Sequence, residues 1–161
     1  MSRRYELSDI QYKLVEDVLS QNRPSSKRGR PRRNDRDMIN GIFWVLCSGA
    51  CWRDLPERFG PWQTVYDRFS KWQQDGTFET VLNHLHLKLL DDGLLDLDTW
   101  FVDSTSVRAH KAAAGAVKKK SKSEQNEALG RSRGGLTTKI HLLCDGKGLP
   151  LAVHLSAGHR H

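Results

Sequence analysis

The chain has 161 residues, of which 37% are hydrophobic and 28% are charged, a composition typical of one or two small globular domains. It contains no apolar run of membrane-spanning length and no signal-peptide core, so we expect a cytoplasmic protein. Its three cysteines lack CxxC or Cys/His finger spacing and support neither a disulfide framework nor a zinc site.

The formal net charge of +7 is concentrated in two segments. Residues 23–36 contain seven Lys or Arg and one acidic residue, and residues 108–139 contain nine Lys or Arg and two acidic residues. A solvated basic loop would account for either segment alone. Two separate clusters favour a polyanionic partner, with nucleic acid the first candidate.

Apolar residues at helical spacing predict four helices in the N-terminal half. The first begins at Ser8 as N-cap, turns Ile10 and Leu14 inward, and ends before Pro24. The second spans 35–49, and the third and fourth span about 63–74 and 78–90. Residues 51–62 form an irregular connection, because two prolines and a glycine interrupt any regular element there.

Three parts of the chain contain candidate DNA contacts. The segment between the first two helices has an Arg-Gly-Arg-Pro core that resembles a minor-groove AT-hook, although a loop that touches phosphates has the same composition. The second and third helices with their connection have the outline of a helix-turn-helix reader, which a plain helical bundle would share. The second basic segment adds five cations. The candidate residues are Arg28, Arg30, Arg32, Arg33, Gln63, Thr64, Arg68, Lys71, Lys118, Lys119, Lys120, Arg131 and Arg133.

The apolar, β-prone run at 100–102 predicts a buried strand that delivers Asp103 to its end. A carboxylate placed after a core strand is costly to desolvate unless it binds something, so Asp103 is a candidate metal ligand. The alternative is a turn-capping Asp, assisted by the hydroxyl groups of Ser104, Thr105 and Ser106.

Residues 109–133 are basic and poor in large apolar side chains, which predicts a flexible insert. Residues 136–154 predict a hairpin whose turn is 145–148. That turn would set Leu142 opposite Leu151 and Ile140 opposite Val153, with the apolar side chains on one face. Asp145 is then a turn residue rather than a catalytic one. We place the domain boundary near 93–98.

Three blocks of the chain resemble, in order and spacing, bacterial insertion-sequence transposases of the insertion sequence 5 type, in the DDE class. The blocks are NGIFWVLCSGACWRDLPERFGPWQTVYDRFSKW, VDSTSVRAH and GRSRGGLTTKIHLLCDGKGLPL. The resemblance implies an α+β protein with a helix-turn-helix-like DNA-binding domain at 1–92. At 93–161 it implies the first three strands of an incomplete RNase H-like catalytic domain, in which Asp103 is the first acidic residue and a metal ligand.

The implied function is binding to double-stranded DNA at element ends by a nucleoid-associated homo-oligomer, followed by strand transfer. Strand transfer uses two Mg²⁺ ions, which one carboxylate cannot hold. The resemblance places the second Asp and the Glu after residue 161, so we expect cleavage only from a completed protein. The chain is then the upstream frame of a split transposase, whose partner is a downstream-frame product or a frameshifted full-length form. A stand-alone DNA-binding regulator or inhibitor and a decayed remnant are the alternatives.

Overall fold

The computed structural model describes residues 4–21, 32–110 and 128–159. The chain divides between Leu89 and Leu90 into two compact units. The first is helical and the second is built on an antiparallel sheet, which confirms the predicted α+β class. No helix in these ranges is long and apolar enough to cross a membrane. The predicted contacts Arg28, Arg30, Lys118, Lys119 and Lys120 lie outside the described residues.

The first predicted helix is two short helices, α1 (Asp9–Lys13) and α2 (Glu16–Gln21). A capping box starts α1, because the Ser8 hydroxyl accepts from the Gln11 N–H and the Gln11 side chain accepts from the Ser8 N–H. After Lys13 the backbone tightens to i→i−3 hydrogen bonds and α1 ends. This break shifts the phase of the apolar residues, and the prediction that Ile10 faces inward is wrong, since its side chain is 77% exposed.

Helix α3 (Asp35–Ser48) has the ends that its sequence predicted. The Asn34 side chain accepts from the Arg36 N–H, and Gly49 ends the helix in the left-handed region with φ of +71°. Two 3-10 turns, Trp52–Asp54 and Glu57–Phe59, make up the connection, followed by α4 (Trp62–Gln74) and α5 (Thr77–Asp91). The core of this unit is an apolar cluster whose most buried members are Leu19, Met38, Ile42, Val65 and Trp72.

The described part of the sheet unit has four strands, β1 (Trp100–Arg108), β2 (Gly130–Ser132), β3 (Gly135–Asp145) and β4 (Pro150–Ala157). Strand β3 is central: β1 pairs along one edge, and β2 and β4 pair along the other, all antiparallel. The sequence predicted three strands and an irregular insert as far as residue 133, which is wrong for β2. This short strand contains no large apolar residue, so its composition gave no sign of strand pairing.

The predicted hairpin of β3 and β4 is present, but the predicted register differs from the observed one by two residues. Leu142 lies opposite Val153 and Ile140 opposite Leu155. Residues 146–148 form a three-residue loop, with Gly148 at φ of +82°, and an irregularity near Leu143 adds one more residue on β4. Because the total shift is an even number, the expected apolar residues still share a face.

The prediction that Asp103 follows a buried strand is also wrong. Strand β1 continues through Asp103 to Arg108, and all nine of its residues are exposed. Val102 is 74% exposed and Trp100 is 62% exposed. Strand β1 lies at an edge of the sheet, and an apolar run in the sequence does not specify which element covers it.

Candidate functional site

Helix α4 presents a polar outer face on a helix that is firmly anchored in the core. Val65 and Trp72 are fully buried on its inner face. Gln63 and Lys71 are exposed on the outer face, and Thr64 is half-buried near the N-terminal end. The structure therefore places these three predicted contacts where a partner could reach them.

Arg68 does not lie on that outer face, and the prediction for it is wrong. Its side chain is only 9% exposed, and its guanidinium group binds the carboxylate of Asp35 at the start of α3. The guanidinium carbon also lies 5.4 Å from the centre of the Trp72 ring. The sequence contained the signal, because Arg68 stands three residues after Val65 and four before Trp72, which is core spacing on a helix.

The carboxylate of Asp35 contacts Arg32 and Arg68, two arginines that the sequence predicted to bind DNA. This carboxylate is 2% exposed and lies 3.5 Å from Nη2 of Arg32, in addition to its contact with Arg68. The Nε and Nη2 atoms of Arg32 are buried and have no hydrogen-bond partner within the described chain. Arg32 is therefore partly a structural residue that fixes where the basic segment meets α3.

An open cleft of about 450 Å³ lies at the N-terminal end of α4, with Arg33 and Arg53 in its wall. The guanidinium group of Arg33 lies against Gly60, and Arg53 stacks 5.9 Å from the Trp62 ring centre. Glu57 also lines the cleft. The first N–H groups of α4 have no side-chain cap, so the helix end adds positive potential there. Sequence analysis missed Arg53, which stood in an apparently irregular connection.

Asp103 lies within β1, opposite Leu142 on β3. Its side chain is exposed and accepts a 2.7 Å hydrogen bond from the N–H of Ser104. This position in a strand excludes the turn-capping alternative. Within the described residues, no cluster of three or more His, Cys, Asp or Glu side chains could hold a metal ion. The described residues by themselves therefore do not provide the ligands of a two-metal site.

Asp145 is the last residue of β3, and its side chain holds the turn that its sequence context predicted. Its carboxylate accepts hydrogen bonds from the N–H groups of Asp96, Lys147 and Leu149, at 3.0, 3.0 and 2.7 Å. Burial tends to raise the pKa of this carboxyl, but the three N–H donors and the charge of Lys147 outweigh it and lower the pKa below its ordinary value. These three donors are backbone groups that the carboxylate holds in place around the turn, which gives Asp145 a structural role.

Arg131 and Arg133, predicted from the second basic segment, are both exposed. Arg131 lies on β2, and Arg133 lies in the loop between β2 and β3. The structure brings them together with Arg108, the last residue of β1, around an open cleft of about 580 Å³. Sequence analysis did not single out Arg108, because only strand pairing brings it near the other two.

Comparisons with known proteins give consistent matches in both units. Residues 7–82 match a family described as "Putative transposase of IS4/5 family", and residues 96–161 match "Transposase DDE domain". The chain is similar to "Uncharacterized protein y4sN" of Sinorhizobium fredii, with 40% identity over 94 residues, covering 58% of this chain and 70% of that protein. It is also similar to "Insertion element IS402 uncharacterized 16.2 kDa protein" of Burkholderia cepacia, with 32% identity over 107 residues, covering 64% and 73%. No solved structure matches the chain.

Proposed function

Because the chain belongs to the IS4/5 family of insertion-element transposases, we propose that it recognises the double-stranded DNA ends of its element through its helical unit. In this proposal α3 and α4 act as a helix-turn-helix-like pair, and α4 enters the major groove. The observation that carries the proposal is the outer face of α4, whose accessible Gln63 and Thr64 stand at the N-terminal end of a helix locked into the core. Recognition helices present their N-terminal residues to base edges in the same way.

The cations around α4 would hold the DNA without reading its sequence. Arg33 and Arg53 flank the N-terminal end of α4, and Lys71 is exposed about two and a half turns further along the helix. Phosphate contacts of this kind fix the register of a protein on the duplex, and base contacts give the specificity. Arg68 is left out of the contacting set. Its bond to Asp35 fixes α4 against α3 instead.

We further propose that β1, β3 and β4 are the first strands of an RNase H-like domain, and that Asp103 is the first acidic residue of a DDE site. When other acidic ligands are supplied, Asp103 would provide one oxygen ligand to Mg²⁺, which activates oxygens for phosphoryl transfer. We propose that the active form is a homo-oligomer assembled on nucleoid DNA. This chain alone is expected to bind element ends and not to cleave them.

Fluorescence anisotropy with labelled duplexes tests the DNA-binding proposal. The full chain is titrated with a duplex of its element's terminal repeat and with a random duplex of equal length, at several salt concentrations. Replacing Gln63 and Thr64 with alanine should reduce the preference for the terminal repeat, by about 5- to 150-fold if the two side chains together make one bidentate hydrogen bond to a base. Asn83→Ala removes an amide from the exposed surface of α5 and is the matched control.

The basic segment is tested separately with Arg28, Arg30 and Arg33 all changed to glutamine. Arg32 is kept, because it is paired with Asp35 and its removal would disturb α3. Binding to both duplexes should weaken equally, and the slope of log affinity against log salt should fall by about 0.9 for each phosphate that is no longer neutralised. Lys88→Gln, on exposed α5, controls for net charge. Equal affinity of the wild-type chain for both duplexes would refute end recognition.

The Asp103 proposal has its own test. Asp103→Asn should leave the affinity of the chain for DNA unchanged, because the carboxylate is exposed on β1 and its hydrogen bond within the described residues is to the next backbone N–H. In the completed protein the same change should abolish Mg²⁺-dependent cleavage. Cleavage by the unaccompanied wild-type chain that disappears in Asp103→Asn would show that this chain assembles a site without added ligands.

A further inference from the structure

The sheet unit contains a second basic site, formed by three arginines from three different backbone segments. Arg108 ends β1, Arg131 lies on β2 and Arg133 lies in the β2–β3 loop, and all three line the open cleft of about 580 Å³. None of the described residues in its wall is acidic. None of the three arginines forms an ion pair with any residue in the described part of the chain.

Strand pairing brings the backbones that carry these arginines to the same end of the sheet. Strand β3 passes between β1 and β2, with Arg108 opposite Thr137 and Arg131 opposite the neighbouring residue, Leu136. Adjacent strands are about 4.8 Å apart, so the backbones of β1 and β2 are separated by about 10 Å. Because Leu136 and Thr137 are neighbours on β3, the side chains of Arg108 and Arg131 leave opposite faces of the sheet, and the cleft at the end of the sheet is where both residues border the same space. The Ala109 N–H donates a 2.8 Å bond to the Leu136 carbonyl, which holds the end of β1 in place.

The loop that carries Arg133 is braced by its own hydrogen bonds. The Ser132 hydroxyl accepts from the Gly134 N–H and donates to the Gly135 carbonyl, both at 3.2 Å. Gly135 has φ of +104°, which a residue with a side chain rarely adopts. The guanidinium group of Arg108 lies beside Gly134, where a Cβ atom would stand 3.4 Å from Nη2. The absence of side chains at 134 and 135 therefore keeps the cleft open beside the arginines.

Three arginines border one cleft whose described wall contains no acidic residue, so a bound anion would offset their positive charge. The planar fork of arginine matches phosphate oxygens with two parallel hydrogen bonds. A cleft of this volume is within the range of ligand-binding clefts and admits a length of backbone rather than one small ion. The arrangement is suited to neighbouring phosphates along a nucleic-acid strand.

We propose that Arg108, Arg131 and Arg133 form a phosphate clamp that holds the DNA backbone on the sheet unit, in addition to the contacts of the helical unit. The clamp rests on the proposed function, since DNA is its ligand. It lies five residues along β1 from Asp103, which is about 17 Å in an extended strand. It contacts backbone only, so it positions the duplex and does not select its sequence.

Chemical footprinting of the wild-type chain tests the clamp without any variant. Phenylglyoxal modifies accessible arginines, and mass spectrometry gives the rate at each position with and without duplex DNA. The clamp predicts that DNA slows modification of Arg108, Arg131 and Arg133 together. Poly-glutamate at the same charge concentration should protect them less. Protection by poly-glutamate but not by DNA would overturn the clamp in favour of an acidic protein surface.

A variant provides the second measurement. Changing all three arginines to glutamine should lower the slope of log affinity against log salt by roughly 2 to 3, with equal weakening for terminal-repeat and random duplexes. Lys147→Gln is the control, because it removes a charge in the loop that follows the other end of β3, which lies about 27 Å along the strand from Arg108. DNA binding with an unchanged slope and no protection of the three arginines would overturn the clamp alone. No binding by the wild-type chain would overturn the proposed function itself.

Discussion

Replacing Asp35 with asparagine should strongly destabilise the helical unit. The Asp35 side chain is 2% exposed and its carboxylate binds Arg68, whose side chain is 9% exposed. Removing one partner of a buried ion pair leaves the other charge desolvated and costs about 3–5 kcal/mol. A domain of this size is stable by only about 5–15 kcal/mol, so the variant should retain a small margin. Its melting temperature should fall by roughly 12–40 °C.

Urea unfolding followed by far-ultraviolet circular dichroism measures this cost, because the described helices all lie within residues 9–91. Asp37→Asn is the matched control. Asp37 is exposed and lies in the same first turn of α3, so its replacement reports only the interaction of a carboxylate with the helix dipole, about 0.3–1 kcal/mol. The difference between the two variants isolates the buried pair.

A double variant separates the ion pair from simple loss of packing. Changing Asp35 to leucine and Arg68 to methionine removes both buried charges and keeps apolar volume beside Trp72. Such replacements are often neutral or stabilising, so the double variant should recover the part of the lost stability that comes from the Arg68 pair, while Arg32 remains without its carboxylate. If Asp35→Asn lowers the free energy of unfolding no more than Asp37→Asn does, the Asp35–Arg68 pair is solvated in solution. Our explanation of why Arg68 is buried would then be incorrect.

Four other variants test the turns and the core. Gly60→Ala should lower the free energy of unfolding in urea by about 1–3 kcal/mol, because φ of +97° with ψ of −172° is essentially restricted to glycine and a Cβ would meet the guanidinium of Arg33. Gly49→Ala should lower it by less, because the space around Gly49 is open. Ile42→Ala should cost about 2–5 kcal/mol in the same assay, since this side chain is fully buried. The lowered pKa of Asp145 means that its turn is fully stabilised above about pH 4 and loses this contribution as the pH falls through the lowered value. NMR shifts of the Lys147 and Leu149 amides should follow that titration, and Asp145→Asn should remove it; a wild-type midpoint at or above the ordinary carboxyl value would contradict the assignment.

The sequence by itself determined the features that depend on a few neighbouring residues. Asn34 and Gly49 marked the ends of α3, because caps act through backbone groups within one turn. Val65 and Trp72 marked the inner face of α4 by helical spacing. Asp145 and the glycines after it marked a turn, and the period of two placed Ile140 and Leu142 on one face. The resemblance to insertion-sequence transposases was likewise readable from the sequence, and the comparisons confirm it.

Only the tertiary structure decided which distant groups meet. Arg68 is buried because a carboxylate 33 residues earlier binds it, and no local pattern specifies that partner. The register of the hairpin depended on one more residue in the loop and one more residue in β4 than the sequence predicted. Neither addition has a clear signal in the local sequence, because each hardly alters the strand propensity of its neighbours. Strand pairing brought Arg108 to the same end of the sheet as Arg131 and Arg133, although 22 residues separate the first two in sequence. Local chemistry fixes elements and their faces, whereas charge pairing, register and convergence depend on how the chain packs in three dimensions.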